Sequence, residues 1–113
     1  MSQHSSPWTT TPPEAQALLA PFRSQIDALD TQIVALLGQR FAVVRQVAAL
    51  KSQHGIPPVL RDRLHEVADR ARAQASAVGL DPVIAARIYN VILDAACALE
   101  DDVMGSTGEA GAH

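Results

Sequence analysis

Four cations, Arg23, Arg40, Lys51 and Arg63, stand on otherwise apolar helical faces, and one acid, Glu100, stands with them. Arg40 and Lys51 are eleven residues apart, about three helical turns, so they point the same way within roughly 20° and sit ~16 Å apart along the axis. They interrupt an apolar stripe, because Leu36, Arg40, Val44, Val47 and Lys51 follow one another at steps of four and three. A cation in such a stripe is costly unless an anion meets it; the bland alternative is a long side chain snorkelling to water. Arg23 precedes Arg40 by seventeen residues, ~25 Å along a helix, too far to touch the same small ligand from the same helix. Glu100 follows Ile92 and Ala96 at steps of four. Either Ala96 leaves space in front of it, or Glu100 begins a solvated Glu100-Asp101-Asp102 run. The set suits a dicarboxylate ligand held by charge more than nucleophilic catalysis. Arginines clamp carboxylates bidentately, while Lys51 and an acid face a polar atom between them.

The elements that must position these groups are helices. Phe22 to Ser52 has no proline, one glycine (Gly38), and apolar residues at Ile26, Leu29, Ile33, Leu36, Leu37, Val43, Val44, Val47 and Leu50, which is the period of one helix face. About thirty residues make a rod of roughly 45 Å, against a radius of gyration near 13–14 Å for a compact domain of this size. The rest of the chain cannot wrap such a rod, so a partner is implied. With antiparallel pairing, Arg23 of one copy reaches the Arg40/Lys51 site of the other. Glu14 to Ala20 adds a turn or two of helix, with Pro21 in the first turn of the rod. The stretch Gln53 to Pro58 forms a loop. A second helix runs from Val59 or Leu60 to about Val78, with Gly79 at its C-cap. Asp81 caps a third helix with Pro82 at its first position, and its apolar stripe reaches about Met104. The expected architecture is all-α, three helices per chain (one long, two shorter), in an intertwined homodimer. A helical domain at 14–104 is flanked by flexible tails at 1–13 and 105–113.

Composition narrows the classes. The 113 residues carry a net charge of −3 and no basic run, which argues against nucleic acid. Hydrophobic residues make up 48% and aromatics 4%, which suits a small-residue helical core. The single cysteine, Cys97, excludes an internal disulfide framework and fits a reducing compartment; it reads as a small buried residue. The N-terminus has neither a cationic region nor an apolar core, so no signal peptide is expected. No apolar run approaches ~20 residues, so no membrane span is expected, and the chain reads as cytoplasmic. His4, His54, His65 and His113 are scattered, with no pair at ligand spacing, so no metal is expected.

Read together, these residues make the chain similar to the all-helical chorismate mutases of the intertwined-dimer type. The resemblance runs from Arg23 to Glu100: Arg23-x-x-Ile26-Asp27-x-x-Asp30, Leu36-Leu37-x-x-Arg40, Lys51, the loop Gly55-Ile56-Pro57, Arg63 with Val67, Gly79-Leu80-Asp81-Pro82, and the third helix ending at Glu100. It implies a homodimer with two sites. In each, Arg40, Lys51, Arg63 and Glu100 come from one chain and Arg23 from the other. It also implies the Claisen rearrangement of chorismate to prephenate in aromatic amino acid biosynthesis, a one-step process without a covalent intermediate or cofactor. Arg23 in trans and Arg40 would hold the two carboxylates, Arg63 would support them, and Lys51 would donate to the ether oxygen.

Three positions depart from the family pattern. Glu100 stands where glutamine is usual, and a carboxylate cannot donate a hydrogen bond whereas a carboxylic acid can; Glu100 is therefore expected to work protonated, with activity falling as pH rises. Leu64 and Leu60 stand where acids serving the ring-hydroxyl region are usual. The apolar residue after Arg63 resembles the related isochorismate-pyruvate lyases of salicylate and siderophore pathways, and mutases of an amino analogue of chorismate share the fold. Chorismate mutase is the first reading. The lyase or the amino-chorismate mutase is the alternative, and a non-catalytic helical dimerisation module the reading outside enzymes.

Overall fold

The computed structural model describes the backbone of residues 9–112 and the side chains of residues 9–105. Most of the expected N-terminal tail, residues 1–8, lies outside them. Three helices follow one another, α1 (Pro13–His54), α2 (Arg61–Ala77) and α3 (Pro82–Ala112), and no strand occurs among the described residues. The expected all-α class with three helices is what the chain adopts. It divides into one unit ending at Gly38 and a second beginning at Gln39.

The first unit is the beginning of α1. The Pro12 carbonyl accepts the Ala15 and Gln16 N–H groups at 3.0 and 3.1 Å, so Pro13, not Pro21, takes the first-turn place where a missing N–H costs nothing. Pro21 lies inside the helix. It withholds a bond from the Ala17 carbonyl, at an exposed position where water can take its place. Leu18, Phe22, Ile26, Leu29, Ile33 and Leu36 are all exposed.

In the second unit, two glycines turn the chain. At Gly55 (φ 65°) α1 ends with Ile56 N–H donating to the Lys51 carbonyl at 2.9 Å. At Gly79 (φ 76°) α2 ends with Leu80 N–H on the Ala75 carbonyl at 2.9 Å and Gly79 N–H on the Ser76 carbonyl at 3.3 Å. Both are closures that need a left-handed residue just past the helix. Asp81 then caps α3 as its sequence suggests, its Oδ1 accepting the Val83 N–H at 2.9 Å, with Pro82 in the first turn. The far end differs from expectation, since α3 continues to Ala112 where a loop was expected after Met104. Gly105 and Gly108 each cost about 1 kcal/mol relative to alanine, but residues 105–113 contain no proline and nothing there removes a backbone donor.

α2 packs against α3, and the buried apolar residues are Ala48, Ala71, Ala75, Ala85 and Ala96. No large side chain among the described residues is fully buried. Fully burying a Leu or Ile is worth ~1.5–3 kcal/mol, so a chain by itself forgoes most of the stabilisation its apolar faces offer. By length and composition α1 and the Pro82–Gly105 part of α3 are each apolar enough to cross a membrane. That corrects the expectation drawn from run length: closely spaced Leu, Ile, Val and Ala keep the mean hydropathy high although polar residues break up the apolar runs. Arg40 and Arg45 nevertheless stand in the apolar part of α1.

Two substitutions test these closures. Asp81→Ala is expected to lower stability by ~1 kcal/mol through loss of the cap. Nothing lies within 4 Å of a Cβ added at Gly79, so Gly79→Ala is expected to cost about 1 kcal/mol through its positive φ alone. Chemical denaturation at fixed protein concentration reads both.

Candidate active site

Each helix contributes one stripe to a cleft of about 380 Å³ within the second unit. α1 supplies Arg40, Val43, Val44, Val47 and Lys51, α2 supplies Arg63, Leu64 and Val67, and α3 supplies Leu93, Ala96, Cys97 and Glu100. The three- and four-residue steps that place the α1 and α3 groups on one side are those of a helix face. Apolar side chains form most of the wall between the charged groups.

At the centre, Lys51 Nζ donates to Glu100 Oε1 at 2.6 Å, with only 13% and 11% of the two side chains exposed. Lys51 also donates to the Pro58 carbonyl at 2.9 Å. An ammonium has three donors, so one remains. Ala96 is buried one turn before Glu100, and its small side chain leaves the carboxylate room. The Arg40 guanidinium is the anomaly: Nη1 is buried and has no hydrogen-bond partner among the described residues. An unpaired buried donor on a cation is expensive, and in a cleft the ordinary remedy is an anionic ligand.

Arg63 also lines the cleft, but it is half exposed and its Nη1 is paired with Glu66 Oε1. Arg23 belongs to the first unit; it is exposed and donates to Thr11 Oγ1 at 3.1 Å. Leu60 was expected at the ring end of the ligand but is not among the lining residues. It is the extended N-cap of α2 (φ −114°, ψ 102°), and its carbonyl accepts the Arg63 and Leu64 N–H groups at 3.1 Å each. That backbone role places it before the turn that faces the cleft. Arg40, Lys51, Arg63, Leu64, Ala96 and Glu100 are thus brought together, while Leu60 is not, and Arg23 was expected from a second copy.

Two participants were missed. The Pro58 carbonyl carries no sequence signal. Cys97 did carry one, because Leu93, Ala96, Cys97 and Glu100 fall at steps of three, one and three, the same face of α3. Burial and the neighbouring Glu100 and Asp94 carboxylates raise the Cys97 thiol, against an opposing pull from Lys51. It is therefore a neutral, poorly nucleophilic wall group at neutral pH. Among the described residues no group of His, Cys, Asp and Glu could hold a metal ion.

Residues 22–101 match the family model of chorismate mutase type II. The chain belongs to that family. It is 35% identical over 86 residues to a 4-amino-4-deoxychorismate mutase of Streptomyces venezuelae, covering 76% of this chain and 84% of that one. It is 29% identical over 89 residues to a chorismate mutase of Methanocaldococcus jannaschii, covering 79% and 90%. A 4-amino-4-deoxychorismate mutase of Streptomyces pristinaespiralis is 27% identical over 103 residues, covering 91% and 80%. The matched region runs from just before Arg23 to just beyond Glu100, the whole span of the charged set.

The two cations make opposite predictions for the ligand-free protein. Lys51→Ala strands the Glu100 carboxylate and is expected to cost about 3 kcal/mol, largely recovered in Lys51→Ala with Glu100→Ala. Arg40→Ala removes a half-buried cation with one unpaired buried nitrogen and is expected to leave the melting temperature unchanged or raised. A large loss on Arg40→Ala would show that this guanidinium is satisfied by the protein itself.

Proposed function

We propose that this chain is a chorismate mutase, converting chorismate to prephenate by Claisen rearrangement and serving aromatic amino acid biosynthesis. The observation that carries the reading is the unpartnered, buried nitrogen of Arg40 in an apolar cleft that also holds the Lys51–Glu100 pair. The reaction breaks the ether C–O bond while a C–C bond forms, in one step. It consumes no water or proton, and needs no nucleophile. The protein's part is to select the compact conformer of a flexible dicarboxylate and to stabilise negative charge growing on the ether oxygen. Arg40, backed by Arg63, holds carboxylate. Lys51 spends its remaining donor on the ether oxygen, and Pro58 and Glu100 fix the direction of that donor.

The working form in this reading is a homodimer of antiparallel α1 helices, with the partner's Arg23 completing the clamp. Support comes from the exposed apolar face of α1, from Leu18 through Leu50, and from an alanine-only core that leaves a single chain short of burial. A paired seam covers this face without placing Arg40 and Arg45 in lipid.

A second substrate, 4-amino-4-deoxychorismate, is compatible with Leu64: with leucine in the lining rather than an acid, nothing at that position requires a ring hydroxyl. Two relatives carry that substrate in their names.

Direct assay decides between substrates: prephenate from chorismate is expected, and salicylate from isochorismate in its place would overturn the reading. A bound dicarboxylate analogue at 100 times its Kd should stabilise the fold by about 2.7 kcal/mol, an effect lost in Arg40→Ala. Glu100 accepts from Lys51, so in this reading it aims the ammonium, where the sequence led to the expectation that it donates as an acid.

A further inference from the structure

Beside the cleft lies a second depression, about 260 Å³, lined by Arg40, Arg63, Val67, Arg70, Ala71, Gln74 and Tyr89. It is cationic and contains no carboxylate in its lining. Glu66 is shared on the α2 surface, paired closely with Arg63 and only loosely, at 3.5 Å, with Arg70. Arg70 is therefore the under-occupied member of the chain. On α1, Asp27 and Asp30 are exposed, and neither carboxylate has a partner among the described residues. Two unpaired acids sit on a face whose other residues, Ile26, Leu29 and Ile33, await cover.

The spacing of these charges matches. Arg23 and Asp30 are seven residues apart on α1, and Arg63 and Arg70 are seven apart on α2. Each interval is about 10.5 Å along a helix with a rotation of only ~20°, so each pair shares one face. Direction matters as well. Lys51 meets Pro58 at the start of α2, while Arg40 shares its depression with Arg70 and Gln74 further along, so α2 runs antiparallel to the end of α1. A partner's α1 laid antiparallel on this α1 then runs parallel to α2. With the partner's Arg23 at the cleft beside Arg63, the partner's Asp30 falls two turns on, opposite Arg70.

We propose that Asp30 of each copy, flanked by Asp27, closes an ion pair with Arg70 of the other copy in the Arg63–Arg70–Gln74–Tyr89 depression, and that this clasp sets the register delivering Arg23 to the cleft. The clasp rests on the antiparallel dimer proposed above. The depression next to the cleft, mixed in charge with Asp69, Asp94 and Arg72, offers a carboxylate no comparable excess of positive charge. Like-charge juxtaposition elsewhere along the seam would oppose other registers. Asp30 and Arg70 are positioning residues, since neither touches substrate.

A charge swap tests this. Sedimentation equilibrium over a dilution series gives the dimer Kd of the wild type, Asp30→Arg, Arg70→Glu and the double variant. Each single reversal is expected to raise Kd about tenfold or more, and the double to return within about threefold of wild type. Mutase activity should follow dimer fraction, with KM more affected than kcat when protein is in excess of Kd. Asp30→Asn and Arg70→Gln, whose helicity circular dichroism checks, give the same coupling if a reversal fails to fold. A wild-type dimer whose single variants keep its Kd, or whose double variant is no tighter than the weaker single, overturns the clasp and leaves the dimer standing. A monomeric wild type overturns both.

Discussion

Lys51 and Glu100 meet at 2.6 Å where little water reaches them, and the arrangement of the cleft follows from that contact. Neither charge is tolerable alone at such burial. The pair binds the end of α1 to α3, and the bond from Lys51 to the Pro58 carbonyl fixes the loop leading into α2. Three separate pieces of chain are therefore held by one ammonium. Its donors are directed rather than free to rotate toward water, which is the condition for electrostatic preorganisation.

Around that pair the protein economises on packing. Alanines occupy its buried positions, so the helices approach closely but enclose little apolar volume. Many of the leucines, isoleucines and valines that normally fill a core lie on exposed faces or on the wall of the cleft. Stability and site are thus built from different residues: small ones where helices touch, branched ones where something else is to be covered. This division also explains how α1 and α3 reach membrane-like mean hydropathy while carrying ionised groups that lipid would not accept.

Helical period made much of this legible. Arg40, Val44, Val47 and Lys51 could be placed on one face without coordinates, as could Ala96 and Glu100, because a helix turns side-chain spacing directly into direction. The caps were equally readable: Gly79 and Asp81 are types chosen for backbone reasons, and each does the expected work. Failures came where period gives no information. Leu60 precedes the first turn of α2, so its direction depends on an extended backbone rather than on helical phase. The Pro58 carbonyl has no side-chain identity to read. The continuation of α3 past Gly105 reflects the absence of a strong stop rather than the presence of a strong former, and weak propensities were overruled.

Charge inventory is the last link between fold and function. The cleft sets three cations, Arg40, Lys51 and Arg63, against one carboxylate, Glu100, leaving two positive charges in apolar surroundings. Solvent and Glu66 satisfy one of them, the exposed Arg63, but nothing among the described residues satisfies Arg40 Nη1. An anionic ligand meets that nitrogen, and a neutral one would worsen matters by displacing water from the cations. Selection for negative charge at Arg40 therefore precedes any contact with a ligand's ring, and contacts at Leu64 can only discriminate among molecules that already carry it.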